Sequence, residues 1–123
     1  MSDPTPAATL TLFLTGTPFG SEAARTALNL AEAALERGYR VNLFASADGV
    51  YAATAGQKAE GLPPVGERLP ALIEKGLRVD LCGSCLQLRG LRREVRIDGT
   101  RPSSLKNLFA MVQESRAFIA LGQ

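Results

Sequence analysis

The sequence predicts one doubly wound, three-layer α/β domain in which a mainly parallel sheet of about five strands carries helices on both faces. Short apolar segments of strand length alternate with longer segments that repeat apolar residues at helical spacing. No two-residue hairpin signal joins successive apolar segments, which favours parallel strands connected through helices. The length of 123 residues fits a single domain over 1–123. We expect residues 1–7, which are small, polar and rich in proline, to be flexible.

The first half of the chain predicts a β-α-β unit. Alternating leucines predict a strand over residues 8–15. An apolar stripe then predicts a helix that Ser21 caps and that ends near residue 37, before Gly38. The apolar segment 39–45 follows directly and predicts a second, parallel strand.

The middle of the chain is less regular. Residues 46–66 are rich in glycine, alanine and proline without a clear period, which predicts a long loop holding one helical turn. We expect a helix over 67–75, a third strand over 77–81 and a short helix over 84–89. Residues 91–97 are predicted to be extended or a loop.

The end of the chain predicts a helix and a last strand. Ser103 or Ser104 caps the helix, which runs to about residue 114, and residues 117–121 form the strand. One helix face carries four apolar residues: Leu105, Leu108, Phe109 and Val112. In a parallel sheet of this class ligands gather at the carboxyl ends of the strands, so we expect function in three turns, at residues 15–21, 46–51 and 82–89.

Composition excludes several classes of function. The net charge is only +2, and 14 Lys and Arg residues are interspersed with 12 acids, which argues against direct nucleic-acid binding. No apolar run approaches the roughly 20 residues of a membrane span, and the N-terminus lacks signal-peptide regions, so we expect a cytoplasmic protein. The absence of histidine removes the commonest general base and metal ligand.

A Cys-Gly-Ser-Cys segment follows the third predicted strand. Gly83 and Ser84 let the backbone turn between Cys82 and Cys85, and free thiols are the expected state in a reducing compartment. The first amides of the following helix and the charge of Arg89 favour a thiolate, so either cysteine is a candidate nucleophile.

Three other interpretations of this pair stay open. The cysteines are small apolar residues that could simply fill the junction of strand and helix. A metal site would need two or more chains to contribute a cysteine pair each, so we expect no metal. A dithiol oxidoreductase is the stronger alternative, although a thioredoxin-like pair usually follows the first strand of its fold.

The remaining signals are weaker. Residues 16–20 resemble a phosphate-binding turn but match no established pattern, and a tight strand-to-helix turn is the simpler explanation. Thr17 and Phe19 in this turn, with Asp48 and Gly49 after the second strand, are candidate pocket-lining residues. A cluster of arginines is either a solvated face or a docking site for an acidic partner: Arg92, Arg93 and Arg96.

Taken together, these segments resemble the DsrE/DsrF-like family of sulfur-relay proteins. The resemblance rests on the order of three segments and the closing helix and strand: Thr17-Pro18-Phe19-Gly20-Ser21-Glu22 with its helix, Val41 to Phe44 followed by Asp48-Gly49-Val50, and Leu81-Cys82-Gly83-Ser84-Cys85 with Arg89-Gly90.

The resemblance implies a persulfide carrier, in which Cys82 accepts sulfane sulfur from a donor protein and passes it to an acceptor protein. It implies no cofactor and an assembly of identical chains, either a trimer or a hexamer. Cys85 departs from a one-cysteine carrier, because its thiol could attack a persulfide on Cys82, release sulfide and leave a disulfide. The resemblance also implies that the many relatives that have lost or moved the cysteine act as scaffolds or regulators, so a non-catalytic scaffold or ligand-binding subunit remains an alternative.

Overall fold

A computed structural model describes residues 8–19, 21–58 and 64–122 and contains one five-stranded sheet. The strand order is β4-β3-β2-β1-β5, and every neighbouring pair is parallel, which confirms the predicted α/β class. Residues 1–7, for which we predicted flexibility, lie outside the described residues. The strands are β1 (Thr9–Leu14), β2 (Arg40–Ala45), β3 (Arg78–Cys82), β4 (Thr100–Ser103) and β5 (Ala117–Leu121).

Helices connect the strands and cover both faces of the sheet. They are α1 (Ala23–Glu36), α2 (Val65–Glu74), α3 (Gly83–Leu88) and α4 (Leu105–Glu114). Among the described residues, two 3₁₀-helices lie in the connections, over Ala47–Ala53 and Arg93–Val95. In the described part of the chain, no helix has the length and apolar character needed to cross a bilayer.

Side chains that alternate along β1 divide the core into two parts. Leu12 and Leu14 are buried against α1 and α2 on one face of the sheet. On the other face Phe44 of β2 packs with Leu108 and Met111 of α4. Burying each of these leucines contributes about 2 kcal/mol of hydrophobic stabilisation, so the two layers hold the sheet from both sides.

Helix α1 follows its prediction closely. Ala24, Leu28 and Ala31 form the buried stripe, and Gly38 ends the helix with a φ of 86°, in the left-handed region that glycine adopts without a steric penalty. The prediction of Ser21 as N-cap is wrong by one residue, because Glu22 occupies that position. The Ser21 hydroxyl still accepts the Ala23 N–H at 3.1 Å.

The region predicted as a long loop is more ordered than expected. Residues 47–53 form a 3₁₀-helix of seven residues, because Val50, Ala52 and Ala53 are buried in the core beside α2. Helix α2 begins at Val65, two residues before its predicted start at residue 67. Residues 59–63 of the predicted loop lie outside the described residues.

Strand β4 was absent from the sequence prediction, which instead allowed an extended segment over residues 91–97. Those residues form a loop with one 3₁₀-turn, and β4 follows at Thr100–Ser103. This strand has four residues, none of them strongly apolar, and contains Pro102. A proline is tolerated there because β4 is an edge strand of the sheet.

A buried carboxylate holds this polar edge strand. The Asp80 side chain of β3 is inaccessible to solvent, and Arg78 and Arg101 each donate to it at 3.1 Å. The Ser103 hydroxyl lies 2.7 Å from the same carboxylate. Burial by itself would raise the pKa of Asp80, but the hydrogen bonds from Arg78 and Ser103 outweigh it and lower the pKa. The ionised carboxylate therefore ties β4 to β3 where apolar packing is missing.

Helix α4 begins as predicted, with the Ser104 hydroxyl accepting the Asn107 N–H at 3.4 Å, but its predicted apolar face is only partly correct. The buried residues of α4 are Leu108 and Met111. Leu105 and Phe109 remain 57% and 66% exposed, and Phe118 on the edge strand β5 is 43% exposed. We call these three residues the α4–β5 face. One helix covers this side of the sheet incompletely, which leaves large apolar side chains in contact with water.

Candidate functional site

The two cysteines lie where β2 and β3 end side by side. Ala45 of β2 pairs with Leu81 of β3, so Ser46 and Cys82 leave the sheet at the same level. This arrangement brings the turn after β2 against the Cys-Gly-Ser-Cys segment, as the parallel order of the strands predicts.

Cys82 and Cys85 pack against different core clusters, although the two thiols approach each other. Cys82 is the last residue of β3, and its side chain packs under α4 against the cluster of Phe44, Leu108 and Met111. Cys85 lies in α3 and packs against the larger core cluster on the opposite face. Both thiols are free and half-buried, so neither is sealed within the aliphatic core.

Hydrogen-bond donors from the turn after β2 surround the Cys85 sulfur. The Ala47 N–H donates to Cys85 Sγ at 3.2 Å, and the Ser46 hydroxyl lies 3.6 Å from the same atom. Cys82 is also within hydrogen-bond reach, and Arg89 contributes a favourable charge. Burial alone would raise the pKa of Cys85, but these partners outweigh it and lower the pKa below its ordinary value. The site therefore favours a thiolate at Cys85.

Arg89 is held in place by two partners. Its Nη2 and Nε atoms donate to one carboxylate oxygen of Asp48 at 2.9 and 3.1 Å, and its Nη1 donates to the Cys85 carbonyl at 3.2 Å. The hydrogen bonds that Arg89 donates to Asp48 raise the pKa of Arg89, so the guanidinium stays charged. This clamp joins the end of α3 to the 3₁₀-helix and fixes a positive charge near the thiol.

The backbone at Ala47 adopts an unusual conformation. Its φ of 50° lies in the left-handed region, which costs a non-glycine residue on the order of 1 kcal/mol. The chain turns here from β2 into the 3₁₀-helix, and the N–H of the same residue meets the Cys85 sulfur. Backbone strain and thiol contact thus coincide in one residue.

The other predicted site residues lie at different distances from this cluster. Gly49 packs directly on the backbone of Leu14, where a Cβ atom would overlap the carbonyl oxygen. Phe19 is exposed and contacts the Tyr51 ring at 5.8 Å between centroids, which connects it to the 3₁₀-helix that carries Asp48. Thr17 accepts the Phe19 N–H through its hydroxyl and makes a local turn. The structure thus groups Asp48 with the cysteine segment and leaves Thr17 apart from it.

The glycine turn after β1 is closely packed rather than open. A Cβ atom on Gly16 would lie 2.7 Å from the Gly122 carbonyl oxygen, so this glycine permits backbone packing against the end of the chain. Gly20 of the same turn lies outside the described residues. The tight-turn interpretation therefore accounts for Gly16.

Sequence reasoning missed Ser46 and Ala47 as direct partners of the thiol. It expected the first amides of α3 to stabilise a thiolate, whereas the backbone donor is the Ala47 N–H from another segment. The available signal was position, because residue 46 is the first after β2 and β2 neighbours β3. Ser84 itself is exposed, and the hydrogen bonds at the Cys85 sulfur come from Ser46 and Ala47 instead. Within residues 8–19, 21–58 and 64–122, no three cysteine or acidic side chains cluster as metal ligands would.

Comparison with known proteins extends these observations. An uncharacterised protein of Methanocaldococcus jannaschii, MJ0989, is 39% identical over 105 residues, which cover 85% of this chain and 92% of that protein. MK0008, an uncharacterised protein of Methanopyrus kandleri, is 37% identical over 106 residues, covering 86% and 88% respectively.

Solved structures show the same fold. The crystal structure of the ychN protein from E. coli matches with a TM-score of 0.86 at 27% identity and covers 93% of this chain and 99% of that one. The MTH1491 protein of Methanobacterium thermoautotrophicum, whose function is unknown, matches with a TM-score of 0.72 at 15% identity, covering 92% and 98%. The model of the DsrE/DsrF-like family matches residues 9–121. Since that match includes every strand and helix described above, the chain belongs to the DsrE/DsrF-like family.

Proposed function

We propose that this protein is a cytoplasmic sulfur-relay protein that carries a persulfide on Cys85, with Cys82 as the second thiol. The family supports a sulfur-relay type of fold. The resemblance at the strand end pointed to Cys82, but the observation that carries our assignment is the Ala47 N–H donated to Cys85 Sγ. A thiolate is the nucleophile in sulfur transfer, and Cys85 has the lowered pKa.

The transfer requires two displacement steps. The Cys85 thiolate attacks the outer sulfur of a donor protein's persulfide, which forms a persulfide on Cys85 and releases the donor's thiolate. An acceptor thiolate then attacks the outer sulfur on Cys85, takes it, and regenerates the Cys85 thiolate. The Ala47 N–H and the Arg89 charge stabilise that thiolate as a leaving group. No metal or organic cofactor takes part in either step, and the donor and acceptor are proteins.

A dithiol oxidoreductase or redox sensor is the second candidate, because Cys82 lies within hydrogen-bond reach of Cys85. In this case the Cys85 thiolate attacks a substrate disulfide, and the Cys82 thiolate then attacks Cys85 Sγ. The products are a Cys82–Cys85 disulfide and a reduced substrate dithiol, so two electrons pass to the substrate. A third alternative is a scaffold subunit that performs no thiol chemistry.

Intact-mass spectrometry after incubation with a persulfide donor tests the carrier function. We expect the wild type to gain the mass of one sulfur atom. The gain should persist in Cys82→Ser and be lost in Cys85→Ser, because only Cys85 accepts the Ala47 N–H.

The matched pair of serine variants also separates the alternatives. Sulfur gain that disappears in Cys82→Ser and survives in Cys85→Ser would assign the persulfide to Cys82 and overturn our assignment. Loss of two hydrogens without sulfur gain indicates the dithiol reaction. No mass change under any redox condition indicates a scaffold.

We also propose that the α4–β5 face binds a second copy of this chain, as the resemblance to trimeric and hexameric proteins implies. Leu105, Phe109 and Phe118 expose large apolar surfaces there, and burying each against an identical chain would contribute about 1–2 kcal/mol. We expect Phe109→Glu to dissociate the assembly in analytical ultracentrifugation, whereas Ala110→Glu, an exposed position of the same helix, should not. A monomeric wild type would contradict this proposal.

A further inference from the structure

A cavity of about 420 Å³ opens between α3 and the loop that leads to β4. Leu86, Leu91 and Pro102 give it an apolar lining, and Arg92 and Arg96 also line it. Its volume falls in the range of small-molecule sites, which are typically apolar with a few polar groups that fix the ligand. The combination of apolar walls and two positive charges defines what this cavity can bind.

Arg96 carries hydrogen-bond donors that the described part of the protein does not satisfy. Its Nε and Nη1 atoms are buried, and no described acceptor bonds to them. Glu94 and Asp98 are close in sequence, yet neither forms an ion pair with Arg96. Buried charged donors normally have partners, because losing water without gaining an acceptor is unfavourable. The unsatisfied donors of Arg96 can therefore be satisfied by an acceptor from outside the chain.

The backbone holds Arg96 firmly in this position. It pairs with Thr54 in an antiparallel bridge. The flanking hydrogen bonds run from the Ala55 N–H to the Val95 carbonyl and from the Ile97 N–H to the Ala53 carbonyl, both at 2.8 Å. A fixed backbone reduces the ordering cost that a ligand must offset when it binds.

We propose that this cavity binds a small organic carboxylate whose apolar stem lies against Leu86, Leu91 and Pro102. When the Arg96 side chain turns its buried donors toward the cavity, a carboxylate offers them two acceptor oxygens, and the charge of Arg92 adds attraction. The apolar walls favour an acid with a hydrocarbon stem over an inorganic anion, which would leave them uncovered. This site does not depend on persulfide transfer and uses neither cysteine sulfur.

Hexanoate serves as the probe, and its binding to the full chain is measured by NMR titration. We expect dissociation constants in the millimolar range for hexanoate and about tenfold weaker binding of the uncharged analogue hexanamide. Inorganic phosphate should also bind at least several-fold more weakly than hexanoate. Equal binding of hexanoate and hexanamide, or tighter binding of phosphate, would overturn the proposal.

Variants add a readout that a purely structural arginine would not give. Arg96→Met replaces the unpartnered guanidinium with an apolar side chain of similar length, so we expect a higher melting temperature together with about tenfold weaker hexanoate binding. Arg92→Met should weaken binding several-fold without changing stability, because Arg92 is exposed. Arg93→Met, outside this cavity, is the control and should change neither. A lower melting temperature for Arg96→Met with unchanged binding in both cavity variants would refute the site.

Discussion

Replacing Gly49 with alanine is expected to lower the free energy of unfolding by about 3 kcal/mol. A Cβ atom at this position would overlap the Leu14 carbonyl oxygen and lie 2.9 Å from the Leu14 carbonyl carbon. Both are backbone atoms of the interior strand β1, so no side-chain rotation relieves the clash. The 3₁₀-helix must move away from the sheet or β1 must deform.

The same clash should also disturb the thiol site. The Leu14 carbonyl accepts the Ser46 N–H at 2.9 Å, and the next residue, Ala47, donates to Cys85. Gly49→Ala should therefore also slow alkylation of Cys85 in any protein that remains folded.

Gly56→Ala is the matched control for this variant, with urea unfolding as the measurement. Position 56 has open space for a Cβ atom but a φ of 79°, so alanine there should cost only about 1 kcal/mol. Equal losses of stability in the two variants would show that the close approach to Leu14 adds nothing to the cost of a side chain at position 49.

The sequence pattern predicts the helices and strands that are stabilised by apolar residues of their own. Leucines alternate with Thr11 and Phe13 along β1, and Ala24, Leu28 and Ala31 recur at helical spacing in α1, so both elements could be located from periodicity. Strand β4 could not be located in this way, because its stability depends on Asp80 of another strand and not on an apolar pattern of its own.

The exposure of α4 shows a different limit. Leu105 and Leu108 satisfy the same helical period, yet Leu108 is buried and Leu105 is exposed. Periodicity identifies an apolar face but does not say how much of it the same chain covers. Side chains that a second chain would cover in the proposed assembly therefore look like core residues in a single sequence.

The candidate site likewise has a part that the sequence predicts and a part that it does not. The Cys-Gly-Ser-Cys spacing and the parallel strand order were sufficient to place Cys82, Cys85 and Arg89 at one end of the sheet. The thiol donor Ala47 was not predictable, because alanine has no preference for the left-handed conformation and its side chain carries no donor. Tertiary packing alone brings its backbone N–H to Cys85.

The alkylation of Cys85 by iodoacetamide is expected to depend on pH with a midpoint below the value of about 8.5 for a free thiol. The rate follows the thiolate fraction, and a lowered pKa makes that fraction appear at lower pH. The measurement uses Cys82→Ser, in which Cys85 is the only thiol and the serine hydroxyl can still donate a hydrogen bond to it.

Removal of the charge at Arg89 should move this midpoint to higher pH. In the Cys82→Ser background, Arg89→Gln loses the Coulombic attraction that lowers the pKa of Cys85, so we expect a several-fold lower rate at pH 7. Arg89→Lys keeps the charge but loses the two-atom contact with Asp48. Its midpoint should lie between that of the Cys82→Ser protein and that of the Arg89→Gln variant.

The hydroxyl and thiol contacts of Cys85 can be separated by the same measurement. Cys82→Ala removes the donor that Cys82→Ser retains, so its midpoint should lie at higher pH, and Ser46→Ala should raise it for the same reason. The remaining shift of the midpoint is then due to burial, the Arg89 charge and the Ala47 N–H, which no substitution at position 47 other than proline removes. A Cys85 midpoint at or above that of a free thiol would remove the electrostatic basis for assigning the persulfide to this residue.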